Sequence, residues 1–157
     1  MKLATLWVGD RTTAAVLSSD DRAYIPLPFS DVGVMIADPS WRSATEAAIT
    51  GKAGTGSQED IPAAAARLAP LLPTAAKVIC CGLNYSEHIE EMGRELPEYP
   101  TLFAKFADTL AGAADTIEVH GSVRVDWEAE LAVVVGSPRL GGRARRGRRS
   151  RGASRRP

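Results

Sequence analysis

Apolar and polar residues alternate from the start of the chain. Met1 to Val8 (MKLATLWV) and Thr12 to Leu17 (TTAAVL) flank a Gly9-Asp10 pair. Threonine, valine and tryptophan favour strands and a glycine-aspartate pair favours a tight turn, so the pattern predicts a β-hairpin. A second turn, SSDDR, leads into a short strand at Ala23 to Leu27, where Pro26 and Pro28 stop regular pairing. The pattern then changes period. Ser30 or Asp31 can cap a short helix over Val32 to Ala37, and Asp38-Pro39 supplies an N-cap and a first-turn proline for Ser40 to Ile49. Asp60 and Pro62 predict a third, alanine-rich helix ending near Pro70 to Pro73, followed by a linker to Ala76.

Beyond the linker the apolar runs become shorter and more strand-like. Lys77 to Cys81 reads as a buried strand, and Ser86 can cap a helix over Glu87 to Met92 that Gly93 closes. Pro97 and Pro100 precede a strand at Thr101 to Phe106. A loop at Leu110 to Asp115, a strand at Thr116 to Val119 and a long strand at Val123 to Val135 complete the pattern, with His120 exposed between the last two. The expected fold class is α+β, mainly β. A small N-terminal domain of residues 1–73 precedes a second unit, residues 74–137, and residues 138–157 form a tail.

Charge sharpens this division. The 157 residues carry 19 acidic and 19 basic side chains, but every acidic residue lies at or before Glu130. Nine arginines follow Pro138, leaving ten basic residues for the acidic body. The tail, RLGGRARRGRRSRGASRRP, lacks apolar periodicity, and its composition predicts disorder. No stretch approaches the ~20 apolar residues a membrane helix needs, and the short run from Leu3 to Val8 does not make a secretory signal. Adjacent side chains on a strand point to opposite faces, so Cys80 and Cys81 are expected to be reduced rather than joined. These features predict a soluble, cytoplasmic protein.

Two constellations can carry chemistry. On the long strand, Asp126, Glu128 and Glu130 alternate with Val125, Trp127, Ala129 and Leu131, so the three carboxylates share one face. Two glutamates at i and i+2 suit a hard divalent cation, and the same alternation also describes a solvated acidic strand face. On the helix after Ser86, His88 and Glu91 stand three apart on one face. An imidazole held by a carboxylate makes a general base near pH 7, and the same spacing describes a surface histidine with an acidic neighbour. The segment GKAGTGSQED has a phosphate-loop look, but no strand leads into it and Lys52 precedes the glycines, so it is read as a surface loop.

Three pieces in order, ICCGLNYSEHIEEMG, PEYPTLFAKF and VDWEAELAVVVG, resemble the fumarylacetoacetate hydrolase family in its single-chain bacterial branch. Residues 1–76 resemble the small N-terminal domain many members carry. The resemblance implies a mixed β-sandwich-like roll, a Mg²⁺ or Mn²⁺ site and a homodimer. It also implies a small oxo-acid substrate. Members cleave a C–C bond of β-diketo acids or acylpyruvates hydrolytically, or isomerise or decarboxylate 2-oxo-ene-dioates. Position by position, Glu128 and Glu130 match the metal carboxylates, His88 the histidine of the N-Y-x-x-H motif, and Glu91 the acid that orients it. Lys105 is a weaker candidate, for neutralising a substrate carboxylate.

The family-like text is expected to end at Gly136, before a third carboxylate and a later lysine that members supply. Asp126 shares a strand with Glu128 and so approaches a cation from the same direction. The arginine-rich tail is consistent with an off-frame reading of GC-rich DNA, with a basic arm for nucleic acid or an acidic partner, or with an arm folding back on the acidic body. It has no aromatic residue for base stacking, which disfavours nucleic acid. Valines without strand partners predict an aggregation-prone or marginally folded chain of weak activity. Two functions of different class therefore stand side by side: a metal-dependent hydrolase or isomerase, and a non-catalytic remnant or basic-tailed binding protein.

Overall fold

A computed structural model describes residues 1–51, 59–121 and 123–136. Most of the glycine-rich loop and the whole arginine-rich segment lie outside the described residues. Strands β1 (Leu3–Val8) and β2 (Arg11–Leu17) form the expected antiparallel hairpin, with Leu3 opposite Val16 and Val8 opposite Arg11. The turn needs a positive backbone angle at Gly9 (φ +62°), which glycine adopts without a Cβ clash. Strand β3 (Ala23–Pro26) adds to β2.

Helix α1 (Val32–Ala37) starts where Asp31 accepts a hydrogen bond from the Val34 amide at 2.8 Å. This is one of the two caps the sequence allowed. Helix α2 (Trp41–Ile49) begins one residue later than expected, with Ser40 as its N-cap. Asp38 instead turns its carboxylate onto the Ser40 amide (2.7 Å) and hydroxyl (2.6 Å), fixing the bend between the two helices. Those two donors hold its carboxyl below the ordinary carboxylate range, the hydroxyl more than the amide.

The alanine-rich third helix does not form. Ile61 and Pro62 make a two-residue strand, β4, beside β3, and a 3₁₀ turn follows at Ala63–Ala65. Arg67–Leu68 makes β5 against β1. The sheet order is β4-β3-β2-β1-β5, so this segment closes both edges of the sheet. Helix propensity is a weak prior, and backbone pairing outweighs it here: the Ala63 amide bonds the Arg22 carbonyl and the Ala69 amide the Thr5 carbonyl, at 2.8 and 2.9 Å.

The hairpin is buried on both faces. Ala14, Val16, Leu27, Val32 and Met35 form one core under α1 and α2, and Ala4, Leu6 and Ala15 form the other with Tyr24, Ile61 and Leu68. Thr5 is one of two buried polar residues of the hairpin, with Thr13. Its buried hydroxyl donates to the Leu71 carbonyl (2.7 Å) and accepts from the Val32 amide (3.1 Å), tying β1 to the start of α1 and to the segment after β5. Among the described residues no buried side-chain nitrogen or oxygen lacks a partner.

A second sheet has two strands, β6 (Val78–Gly82) and β7 (Thr101–Lys105), antiparallel with Val78 opposite Lys105 and Gly82 opposite Thr101. Helix α3 (Ser86–Glu91) lies between them in sequence. The structure is thus α+β, mainly β, as expected, and both sheets are antiparallel. Two expectations fail in this half. Strand β6 is half-exposed rather than buried, with Ile79 open to solvent. The strands expected at Thr116 to Val119 and Val123 to Val135 do not form. A strand is one half of a hydrogen-bonded ladder, and no described strand pairs with either segment. No helix is long and apolar enough to cross a membrane among the described residues.

Candidate active site

The chain leaves β6 through Leu83, whose φ of +54° is unusual for a residue with a bulky side chain. The bend leads through Asn84 and Tyr85 into α3. Tyr85, rather than Ser86, occupies the N-cap position and makes no side-chain cap. The other end of α3 is firmly closed. Gly93 (φ +65°) donates to the Glu90 carbonyl at 2.9 Å, and the Arg94 amide donates to the Ile89 carbonyl at 3.1 Å, a Schellman motif. Ile89 is buried and anchors the helix.

That anchoring leaves His88 and Glu91 on the solvent side, 57% and 76% exposed, with His88 Nδ1 3.7 Å from Glu91 Oε2. The two side chains are adjacent as the i,i+3 spacing requires. Their separation exceeds a hydrogen bond, so the contact is an ion pair when the imidazole is protonated.

Glu128 and Glu130 are exposed on the unpaired segment 123–136. Among the described residues, no three His, Cys, Asp or Glu side chains converge on a point where a metal ion could sit. The donor chemistry nevertheless suits a hard cation, because both glutamates offer carboxylate oxygens and stand two apart. Asp126 accepts from the neighbouring Trp127 amide at 2.8 Å, an interaction within its own segment. Lys105 closes β7 with its ammonium 5.8 Å from the Phe103 ring centre. Both cysteines are free, as expected, but half-buried rather than buried. His120 is exposed as expected, with Nε2 3.5 Å from Glu118 Oε2.

Two residues that shape this site were not picked out from the sequence. Ile89 stands as the apolar residue inside the polar run SEHIEE, a signal that was available. Leu83 carries no such mark, because leucine has no preference for positive φ.

The profile for the C-terminal domain of fumarylacetoacetate (FAA) hydrolase matches residues 77–146. This stretch is similar to the fumarylacetoacetate hydrolase family. The match starts at Lys77, where the resemblance begins, and runs beyond Gly136, where the family-like text was expected to end. The chain is 46% identical over 61 residues to a mitochondrial oxaloacetate tautomerase of Rattus norvegicus, and 44% identical over 70 residues to one of Xenopus laevis. It is 40% identical over 73 residues to a protein of Burkholderia multivorans provisionally named a hydrolase. The matched stretches cover 38%, 44% and 46% of this chain, and 20%, 22% and 26% of those relatives. The chain thus spans about a quarter of the length of the curated relatives it matches.

Proposed function

We propose that residues 77–136 carry part of the active site of an enzyme that moves a proton on a small 2-oxo acid. The observation that carries this reading is the placement of His88 beside Glu91 on the solvent side of α3, within the family-matched stretch. The carbon next to a 2-oxo group is acidic because its carbanion is an enolate. His88, oriented by Glu91, would take that proton and return it at the enol oxygen, or run the reverse, which is tautomerisation. The same base would activate water for C–C cleavage of a β-diketo acid or acylpyruvate, or assist isomerisation or decarboxylation of a 2-oxo-ene-dioate. The tautomerase relatives favour the first of these.

Glu128 and Glu130 would hold Mg²⁺ or Mn²⁺. When bound, the cation would stabilise negative charge on the substrate's oxo oxygen. Lys105 would meet a substrate carboxylate. The reading includes a homodimer and a cytoplasmic location, with a small N-terminal domain of residues 1–73 supporting an oxo-acid site in residues 74–137.

The test follows the ultraviolet absorbance of oxaloacetate enol as it decays to the keto form, with the purified chain and added MgCl₂. Decay faster than buffer, slowed by roughly 10²- to 10⁴-fold in His88→Ala, supports the reading. A rate equal to buffer, or unchanged by His88→Ala, rejects it.

A further inference from the structure

Among the described residues from Phe106 to Gly136, only Gly112 is buried. Its backbone angle does not call for glycine, since the described glycines of positive φ are Gly9, Gly51, Gly93 and Gly121. Space does. A Cβ on Gly112 would stand 2.8 Å from the Leu68 carbonyl oxygen and 3.1 Å from Asp115 Oδ2. An exposed carboxylate can move, but the Leu68 backbone belongs to the ladder of β5 with β1 and cannot swing aside. Ala111 and Ala113, on either side, line a shallow cleft with Leu68, Ala69 and Leu71. Three small residues thus bring the backbone of the second half onto the edge strand of the first. The turn is also locked. The Gly112 amide donates to Asp115 Oδ2 at 2.7 Å, and the Asp115 amide donates back to the Gly112 carbonyl at 3.1 Å. Toward β7, a 3₁₀ turn at Ala107–Thr109 follows Phe106, whose carbonyl accepts from the Thr109 hydroxyl at 2.7 Å, and the Leu110 amide donates to the Ala107 carbonyl at 3.1 Å. Two hydrogen-bonded turns therefore join the end of β7 to the edge of the five-stranded sheet. A two-stranded sheet is marginal alone, so β7 gains from this attachment.

We propose that residues 110–115 clasp β7 to the edge of the five-stranded sheet, with Gly112 as a contact that admits only glycine and Asp115 as its lock, and that this clasp positions Lys105. The last part rests on the proposed function, in which Lys105 meets a substrate carboxylate. Gly112 and Asp115 are positioning residues: they touch no substrate and act through β7. Opening the clasp therefore weakens substrate binding and spares the proton transfer at His88, which stands on a different element, α3.

Amide exchange of the full chain by NMR, paired with steady-state kinetics on oxaloacetate enol, tests both parts. Gly112→Ala is expected to speed exchange of the β7 amides several-fold with β1 and β2 unchanged, and to raise KM with kcat little changed. Asp115→Ala is expected to move both readouts in the same direction by less. Asp115→Asn, which keeps an acceptor oxygen for the Gly112 amide, is expected to return both to the values of the unaltered chain. Exchange in β7 that neither Gly112→Ala nor Asp115→Ala alters overturns the clasp. So does exchange that rises equally in β1 and β2, which would be a general loss of stability. Faster exchange in β7 with an unchanged KM overturns the positioning of Lys105. An unaltered chain that does not speed the reaction rejects the proposed function, and the exchange readout then decides the clasp by itself.

Discussion

The two halves of this chain spend their residues differently. Between Leu3 and Leu68, five strands bury the hairpin on both faces, and the buried polar groups Thr5, Thr13, Asp31 and Thr45 all have partners. Between Lys77 and Gly136 lie the cysteines, the histidines and most of the candidate chemistry, yet Ile89 and Gly112 are the only fully buried residues described there. The first half is fixed by its own contacts. The second presents its chemistry on one short anchored helix and one unpaired segment, so its site depends on what joins that segment.

Truncating the core should show the largest effect. Met35 of α1 is fully buried in the core with Ala14 and Val16, and Met35→Ala should destabilise the chain by about 2–5 kcal/mol in urea melts followed by tryptophan fluorescence. Thr5→Val comes next. It keeps the shape but leaves the Val32 amide and the Leu71 carbonyl without their shared hydroxyl, at a cost of about 1–3 kcal/mol by the same melt. In the second half, Glu128→Ala and Glu130→Ala should change stability by no more than about 0.5 kcal/mol, because both side chains are exposed on an unpaired segment. A large loss from either would mean that the segment is structurally engaged and would erase the contrast.

Ile89→Ala sharpens the contrast from the other side. It should speed amide exchange across α3 while leaving the exchange of β1 and β2 unchanged, since Ile89 belongs to neither core of the five-stranded sheet. The smallest effect concerns Asp38. Its folded carboxyl titrates below the ordinary value because of Ser40, so it contributes stability that is present above the unfolded value and is lost as pH falls through the folded one. Ser40→Ala should move that titration, read by NMR of the Asp38 carboxyl, upward toward the ordinary range and narrow the window.

How much of this was legible in the sequence also differs between the halves. Local signals were enough where the partner of an element lies next to it: the hairpin across Gly9-Asp10, α1 behind Asp31, and α3 closed by Gly93. They failed where the partner is distant. Residues 61–73 look helical because alanine and leucine are good helix formers, but their amides find the Arg22 and Thr5 carbonyls, which no local pattern reveals. The segment Val123 to Val135 alternates like a strand, and alternation states which faces would be apolar without supplying a ladder. The adjacency of His88 and Glu91 was legible because one helical turn sets it. No such local rule governs Glu128 and Glu130, and among the described residues no cluster of three metal-type ligands forms.

The most direct test of the central claim is proton exchange at the substrate carbon. Oxaloacetate in D₂O is followed by proton NMR for deuterium uptake at the carbon beside the 2-oxo group, with the unaltered chain, His88→Ala and Thr5→Val. Uptake above the buffer rate that His88→Ala abolishes, and that Thr5→Val retains below its melting temperature, is the expected result. Uptake at the buffer rate in all three, or catalysed uptake that survives His88→Ala, would contradict the account.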